Sequence, residues 1–261
     1  MDSATNIIEA VKAGDAGMVQ ALLAADPAAV EAADADGVTA VMWAVYIGNV
    51  DLAREIAFRK QNLSLVEAAA IGEEEKVAAL IEAGASVNAI SPDGFSPLGF
   101  AAKFGHPEVA SELLSRGANA NAISQNPMKV APLHSALAGG HVSIARMLLE
   151  AGADPAAVNG EGWTPLHYVA ELGDADVAKL LLEQGAIPYV QNHSGQSPSD
   201  LAVKAGHHDV ADAMRWHMHR QQEARKAKGE VAIQLKGLAD DLEDEKQKMA
   251  SEGGNSRNEP D

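Results

Sequence analysis

The sequence predicts an all-α repeat solenoid followed by a C-terminal helical tail. Three observations carry that reading. Gly14, Gly48, Gly72, Gly105, Gly140, Gly173 and Gly206 recur at spacings of 34, 24, 33, 35, 33 and 33 residues. Each sits in a similar phrase, clearest at 162–182: G-W-T-P-L-H-Y-V-A-E-L-G-D-A-D-V-A-K-L-L-L. The apolar residues in that phrase fall at helical spacing on both sides of its central glycine. A period near 33 residues marks a stacked array, because one such unit cannot bury its apolar face alone.

The unit at 162–185 sets the physical reading. Thr164 before Pro165 is a helix start, with a hydroxyl to cap and a proline suited to the first turn. Leu166, Val169 and Ala170 give this first helix its apolar face. Gly173 ends it in a left-handed conformation. Val177, Leu180, Leu181 and Leu182 form a second helix, closed by Gly185-Ala186. Gly162 fits a protruding turn that needs positive φ. The unit is therefore two antiparallel helices and a turn.

Taken in order, about seven units fill 1–216, near 1–33, 34–62, 63–90, 91–123, 124–158, 159–191 and 192–216. The first, with Thr5 and Gly14, has no turn before it and reads as an N-terminal cap. The second opens on Asp36-Gly37-Val38-Thr39-Ala40. The third is 9 residues short: Leu63-Ser64-Leu65-Val66 follow Asn62 directly, so its turn is expected to be missing and the stacking angled there. The fourth carries D-G-F-S-P-L-G-F-A-A-K-F-G-H at 93–106. The fifth carries A-P-L-H-S-A-L-A-G-G-H at 131–141, after two extra residues near Gln125–Val130 that enlarge its turn. The last, G-Q-S-P-S-D-L-A-V-K-A-G-H at 195–207, replaces an apolar residue with Ser199 and ends in Met214, Arg215 and Trp216, as a polar C-terminal cap would.

These phrases resemble ankyrin repeats over roughly residues 5–216. The resemblance implies a non-catalytic protein–protein interaction module whose partner lies across the turn tips and the exposed side of the first helices. It also assigns structural places to His134 and His167 in the P-L-H phrase and to His106, His141 and His207 after the repeat glycine.

Composition limits the alternatives. The chain has no cysteine, hence no disulfide framework and no thiolate zinc site, which fits a reducing, cytoplasmic setting. The start lacks a basic region followed by an apolar run, so no signal peptide is expected. No stretch is long and apolar enough to span a membrane. Residues 1–216 hold 12 basic and 27 acidic side chains, a charge of −15. That field repels nucleic acid and anionic membrane and favours a protein partner with a basic segment. No Ser-His-Asp elbow and no phosphate loop occurs; the glycines punctuate repeats. His217-Met218-His219 could hold a metal only adventitiously, so neither cofactor nor metal is expected.

Mapped copy by copy, the concave face offers Tyr46, Phe95, Lys103, Phe104, Glu161, Trp163, Glu171 and Leu172 as candidate partner-binding residues. Aromatics are scarce in this chain, yet Tyr46, Phe95, Phe104 and Trp163 fall on nominally exposed positions. Aromatics rimmed by charge are typical interface anchors. The competing expectation is that they pack against neighbouring turns.

From Arg220 the pattern changes, and 217–250 reads as a helical tail. Val231, Leu235, Leu238 and Leu242 form a short coiled-coil-like seam. Arg220, Arg225, Lys226 and Lys228 precede Asp240, Asp241, Glu243, Asp244 and Glu245, an order that opposes the helix dipole. Two tails could pair antiparallel, so the alternative function is a self-assembling scaffold, a homo-oligomer formed through this helix. Residues 251–261 read as disordered.

Overall fold

A computed structural model describes residues 3–227 and 236. The chain divides into two compact units, Met1–Ala211 and Asp212–Asp261. Within the first, short helices alternate in pairs: α1 (Ser3–Lys12) with α2 (Ala16–Ala25), α3 (Ala40–Tyr46) with α4 (Val50–Arg59), α5 (Leu65–Ile71) with α6 (Glu74–Glu82), α7 (Pro97–Phe104) with α8 (Pro107–Ser115), α9 (Pro132–Ala138) with α10 (Val142–Glu150), and α11 (Pro165–Leu172) with α12 (Ala175–Glu183). α13 (Pro198–Ala205) precedes helical residues 208–211. In the second unit, residues 212–227 are helical, and Arg220 lies over the Trp216 ring. The seam Val231, Leu235, Leu238 and Leu242 and the stretch 251–261 lie outside the described residues.

Local chemistry sets the length of the first helices. Side-chain oxygens of Thr39, Ser64, Ser96 and Ser197 accept the N–H three residues on, which satisfies an orphan donor. Left-handed Gly72, Gly105, Gly173 and Gly206 stop the chain at the other end. The result is seven or eight residues from α3 onward, too short to persist alone. Stacking holds them: α1 packs on α3, and the row continues through α5, α7, α9, α11 and α13. The core runs along this row, with Val41, Leu98, Phe100, Leu133 and Leu166 buried between neighbours and Ile56, Leu113, Leu148 and Leu181 rising from the second helices. Each such side chain contributes about 1.5–3 kcal/mol. Fully buried Ala44, Ala101, Ala136 and Ala170 let the helices approach closely.

Thr164 departs from the expected cap. Its hydroxyl does not reach the helix backbone; His167 closes the helix start instead, its Nδ1 accepting the Thr164 N–H at 2.9 Å and lying 2.8 Å from Oγ1. The other ring nitrogen, Nε2, then carries the proton and donates to the Gln196 carbonyl of the next turn at 3.1 Å. His134 repeats this with the Ala131 N–H and the Ala157 carbonyl.

The joints between pairs explain the irregular period. Most span 14 residues, the one before α9 spans 16, and the one before α5 only five, 60–64. The turn is indeed missing there. The two added residues widen the turn at Ser124, which pairs its N–H with Val130 rather than four residues on, as Ser91 does with Phe95. Neighbouring turns are tied by backbone bonds: Gln125 N–H to Gly94 O, Gly160 N–H to Met128 O, and His193 N–H to Glu161 O, at 2.7–3.0 Å. After the gap the matching position is Pro92, which has no N–H to offer to a preceding turn.

Candidate functional site

Where the turn is missing, the turn at 34–39 faces the turn at 91–95 directly; a Cβ on Gly37 would stand 3.3 Å from Pro92. Between them lies a cavity of about 330 Å3 lined by Val38, Met42, Leu65, Val66, Ala89 and Ile90 among others. One wall holds an ion pair, Lys60 to Glu67 at 2.7 Å, with side chains only 4% and 3% exposed. The Glu67 carboxylate also accepts from the Ser64 N–H and hydroxyl and from the Thr39 hydroxyl. Burial works against its charge, but Lys60, Ser64 and Thr39 outweigh it and hold the carboxyl below the usual range.

The predicted residues separate into two groups, one at α3 and α7 and the other at α11. Tyr46, Phe95, Lys103 and Phe104 come together. Lys103 Nζ lies 5.4, 5.2 and 5.4 Å from the ring centroids of Tyr46, Phe95 and Phe104. Phe100 underlies all three rings, at 6.4, 5.2 and 6.0 Å. The Tyr46 hydroxyl donates to the Asp93 carboxylate, and burial plus that neighbouring charge push the phenol well up. The expected exposure of Phe95 is not met: it is 7% exposed, because its ring packs on Phe100 beneath the Lys103 side chain. Tyr46 and Phe104 are half-buried.

Glu161, Trp163, Glu171 and Leu172 form the second group. Trp163 is half-buried, its ring 5.0 Å from Tyr168 and 5.5 Å from His167. Asn159 organises this turn, accepting the Glu161 and Trp163 N–H groups and donating to the Tyr168 hydroxyl. Glu161 and Glu171 are exposed, and Leu172 is 39% exposed. Burial, then the Glu161 charge, raise the Tyr168 phenol above its ordinary value.

A groove of about 280 Å3 lies between the first group and Tyr168, the neighbour of the Trp163 ring. Phe95, Lys103 and Phe104 line it at one end, Tyr168 at the other, with Met128 and Ala138 between. Sequence mapping missed Tyr168, Met128, Asp93 and Trp43, whose ring meets that of Tyr46 edge-on at 6.0 Å. A signal was present for two of them: Trp43, Phe100 and Tyr168 are each the fourth residue of a first helix. Met128 belongs to the enlarged turn and had no register to follow.

The histidines tie repeats together. His106 and His207 each lie within hydrogen-bond distance of a first-helix carbonyl of the preceding pair, Ala70 and Ala170, at 3.0 and 2.9 Å. Among the described residues no three His, Asp or Glu side chains gather as metal ligands, and no helix is long and apolar enough to cross a membrane.

A stack of paired short helices, tied turn to turn, defines a repeat solenoid. The family model for ankyrin repeats (3 copies) matches residues 65–159 and 152–221, and the chain belongs to the ankyrin repeat family. Such repeats are generally protein–protein interaction modules and typically non-catalytic. No curated protein matches the chain.

Proposed function

We propose that the first-helix and turn face binds a partner protein through a basic, partly apolar segment. The groove that runs from Phe104 to Tyr168 carries this reading, since it is lined by the Phe95 and Phe104 rings at one end and by Tyr168, against which the Trp163 ring packs, at the other. The Glu161 and Glu171 charges act on Tyr168, Asp93 accepts from Tyr46, and the −15 charge of residues 1–216 draws a cationic chain toward this face. Aromatic anchors in a desolvated groove contribute most of the affinity and the acidic rim contributes orientation. The cysteine-free chain suits a cytoplasmic setting.

The test is capture from native lysate by the intact protein and by a Phe104→Ala, Trp163→Ala variant of equal melting temperature. A protein held by the first and lost by the second supports the face. Equal capture by both contradicts it, and capture of the chain itself alone would favour self-assembly through the tail.

A further inference from the structure

The residue just before a first-helix cap tends to turn toward the first-helix side. Val38, Phe95 and Val130 stand before Thr39, Ser96 and Ala131; Val38 lines the cavity beside the missing turn, and Phe95 and Val130 line the groove. By that register Leu63, before the Ser64 cap, should join them. It does not. Asn62 and Ser64, on either side of it, line the cavity, whereas Leu63 lines a separate hollow with Phe58 and Ile71. The joint 60–64 accounts for this: five residues bring the chain straight from α4 into α5, with no turn to carry the side chain across. The cavity of about 330 Å3 is therefore the place of an apolar side chain that the protein does not itself supply. An apolar cavity of about 150 Å3 already admits a benzene-sized ring, so this one has room for a leucine or an aromatic side chain.

Its walls fit an uncharged occupant. Val38, Met42, Leu65 and Val66 present apolar surface, and the charges in the wall are already paired, Lys60 with Glu67 and Glu31, and Glu67 also with Ser64 and Thr39. Ile90 lines the cavity and is 40% exposed, so the cavity opens to solvent there. The turn 91–95 joins cavity and groove, since Ser91 and Asp93 wall the first and Phe95 walls the second. A segment lying in the groove reaches the cavity across that one turn. Asp93 and the exposed Asp36 of the facing turn favour a basic residue beside the entering side chain. We infer that the cavity left by the missing turn receives one leucine or aromatic side chain of the partner protein, borne on the same basic, partly apolar segment that lies in the groove. This rests on the reading of the first-helix and turn face as the partner-binding face. A side chain seated in such a desolvated hole is the kind of anchor that dominates an interface.

The experiment titrates the full chain with N-acetyl-leucinamide, N-acetyl-phenylalaninamide and, as a polar match, N-acetyl-asparaginamide, following the methyl resonances of Val38, Met42, Leu65 and Ile90. One or both apolar amides should bind saturably and at least ~10-fold more tightly than the asparagine amide, the difference that burying one such side chain makes. Ala89→Phe, which fills the cavity, and Ile90→Asp, which charges its opening, should each abolish that binding with the melting temperature retained; two such variants guard against one failing to fold. Both should also hold the protein captured from lysate at least ~10-fold more weakly than the intact chain does. No saturable shift of these methyls, asparagine amide binding as tight as the apolar amides, or captured protein held equally by intact chain and both variants overturns the inference. So does a dimeric intact chain that both variants turn into a monomer, which would make the occupant a second copy. If the inference fails while the Phe104→Ala, Trp163→Ala variant still loses its captured protein, the cavity is wrong and the binding face stands.

Discussion

Glu67 occupies the third position of α5, where the neighbouring first helices carry Gly99, His134 and His167. With no turn above it, its carboxylate takes the Ser64 cap, the Thr39 hydroxyl and Lys60. Lys60 also reaches Glu31 at 3.6 Å, so the charge stranded by removing one partner is that of Glu67: Lys60→Met should cost about 3–5 kcal/mol in denaturant unfolding, while Lys60→Met with Glu67→Met should cost far less. A small loss in the single variant would contradict this role. Protonation follows the same logic. Burial lowers the affinity of His106, His134 and His167 for a proton in the folded chain. The unfolded chain then binds those protons first, so stability is full above the ordinary histidine value of 6.5 and declines as pH falls through it. The depressed Glu67 carboxyl adds a second decline, beginning below its ordinary 4.5 and complete as pH drops through the folded value. Melting temperature should hold above pH 7, fall toward pH 5 and fall again below 4.5. His134→Gln with His167→Gln should flatten the first step; a profile level from pH 7 to 5 would contradict it.

At the scale of elements, the repeat glycines differ in what they do. Gly48 has φ of +76° with open space where a Cβ would stand, so Gly48→Ala should cost only the left-handed backbone, about 1–2 kcal/mol. Gly105 has the same φ, but its Cβ would stand inside contact distance of the His141 ring. Gly105→Ala should therefore cost more, read as a lower midpoint in urea, and equal losses would refute the role of that packing. The helix pairs, the missing turn and the enlarged turn were all legible in the sequence, because glycine spacing and cap residues act locally. The burial of Phe95 was not. It follows a turn glycine as Trp163 does, yet Phe100 lies beside it on α7 and takes its ring inward. Register places a residue on an element; ring-on-ring packing then decides whether it is covered. Tyr168 was missed because the face was mapped from the residues beside the turn glycine and beside the helix-ending glycine, and Tyr168 is the fourth residue of α11, between those two positions.

Over the whole molecule, the acidic excess of residues 1–216 and the groove work at different ranges. The field acts across a Debye length, about 8 Å at physiological salt, and steers the encounter. The apolar contacts act only once docked. Raising salt from 50 to 500 mM should therefore slow association of a captured basic partner several-fold and change its dissociation little. A salt effect confined to dissociation would contradict the steering. If one face does the binding, hydrogen exchange on the captured complex should show added protection at 34–39, 91–104, 126–138 and 159–172, the turns and first helices. Protection confined to the second helices α4, α6, α8, α10 and α12 would contradict it.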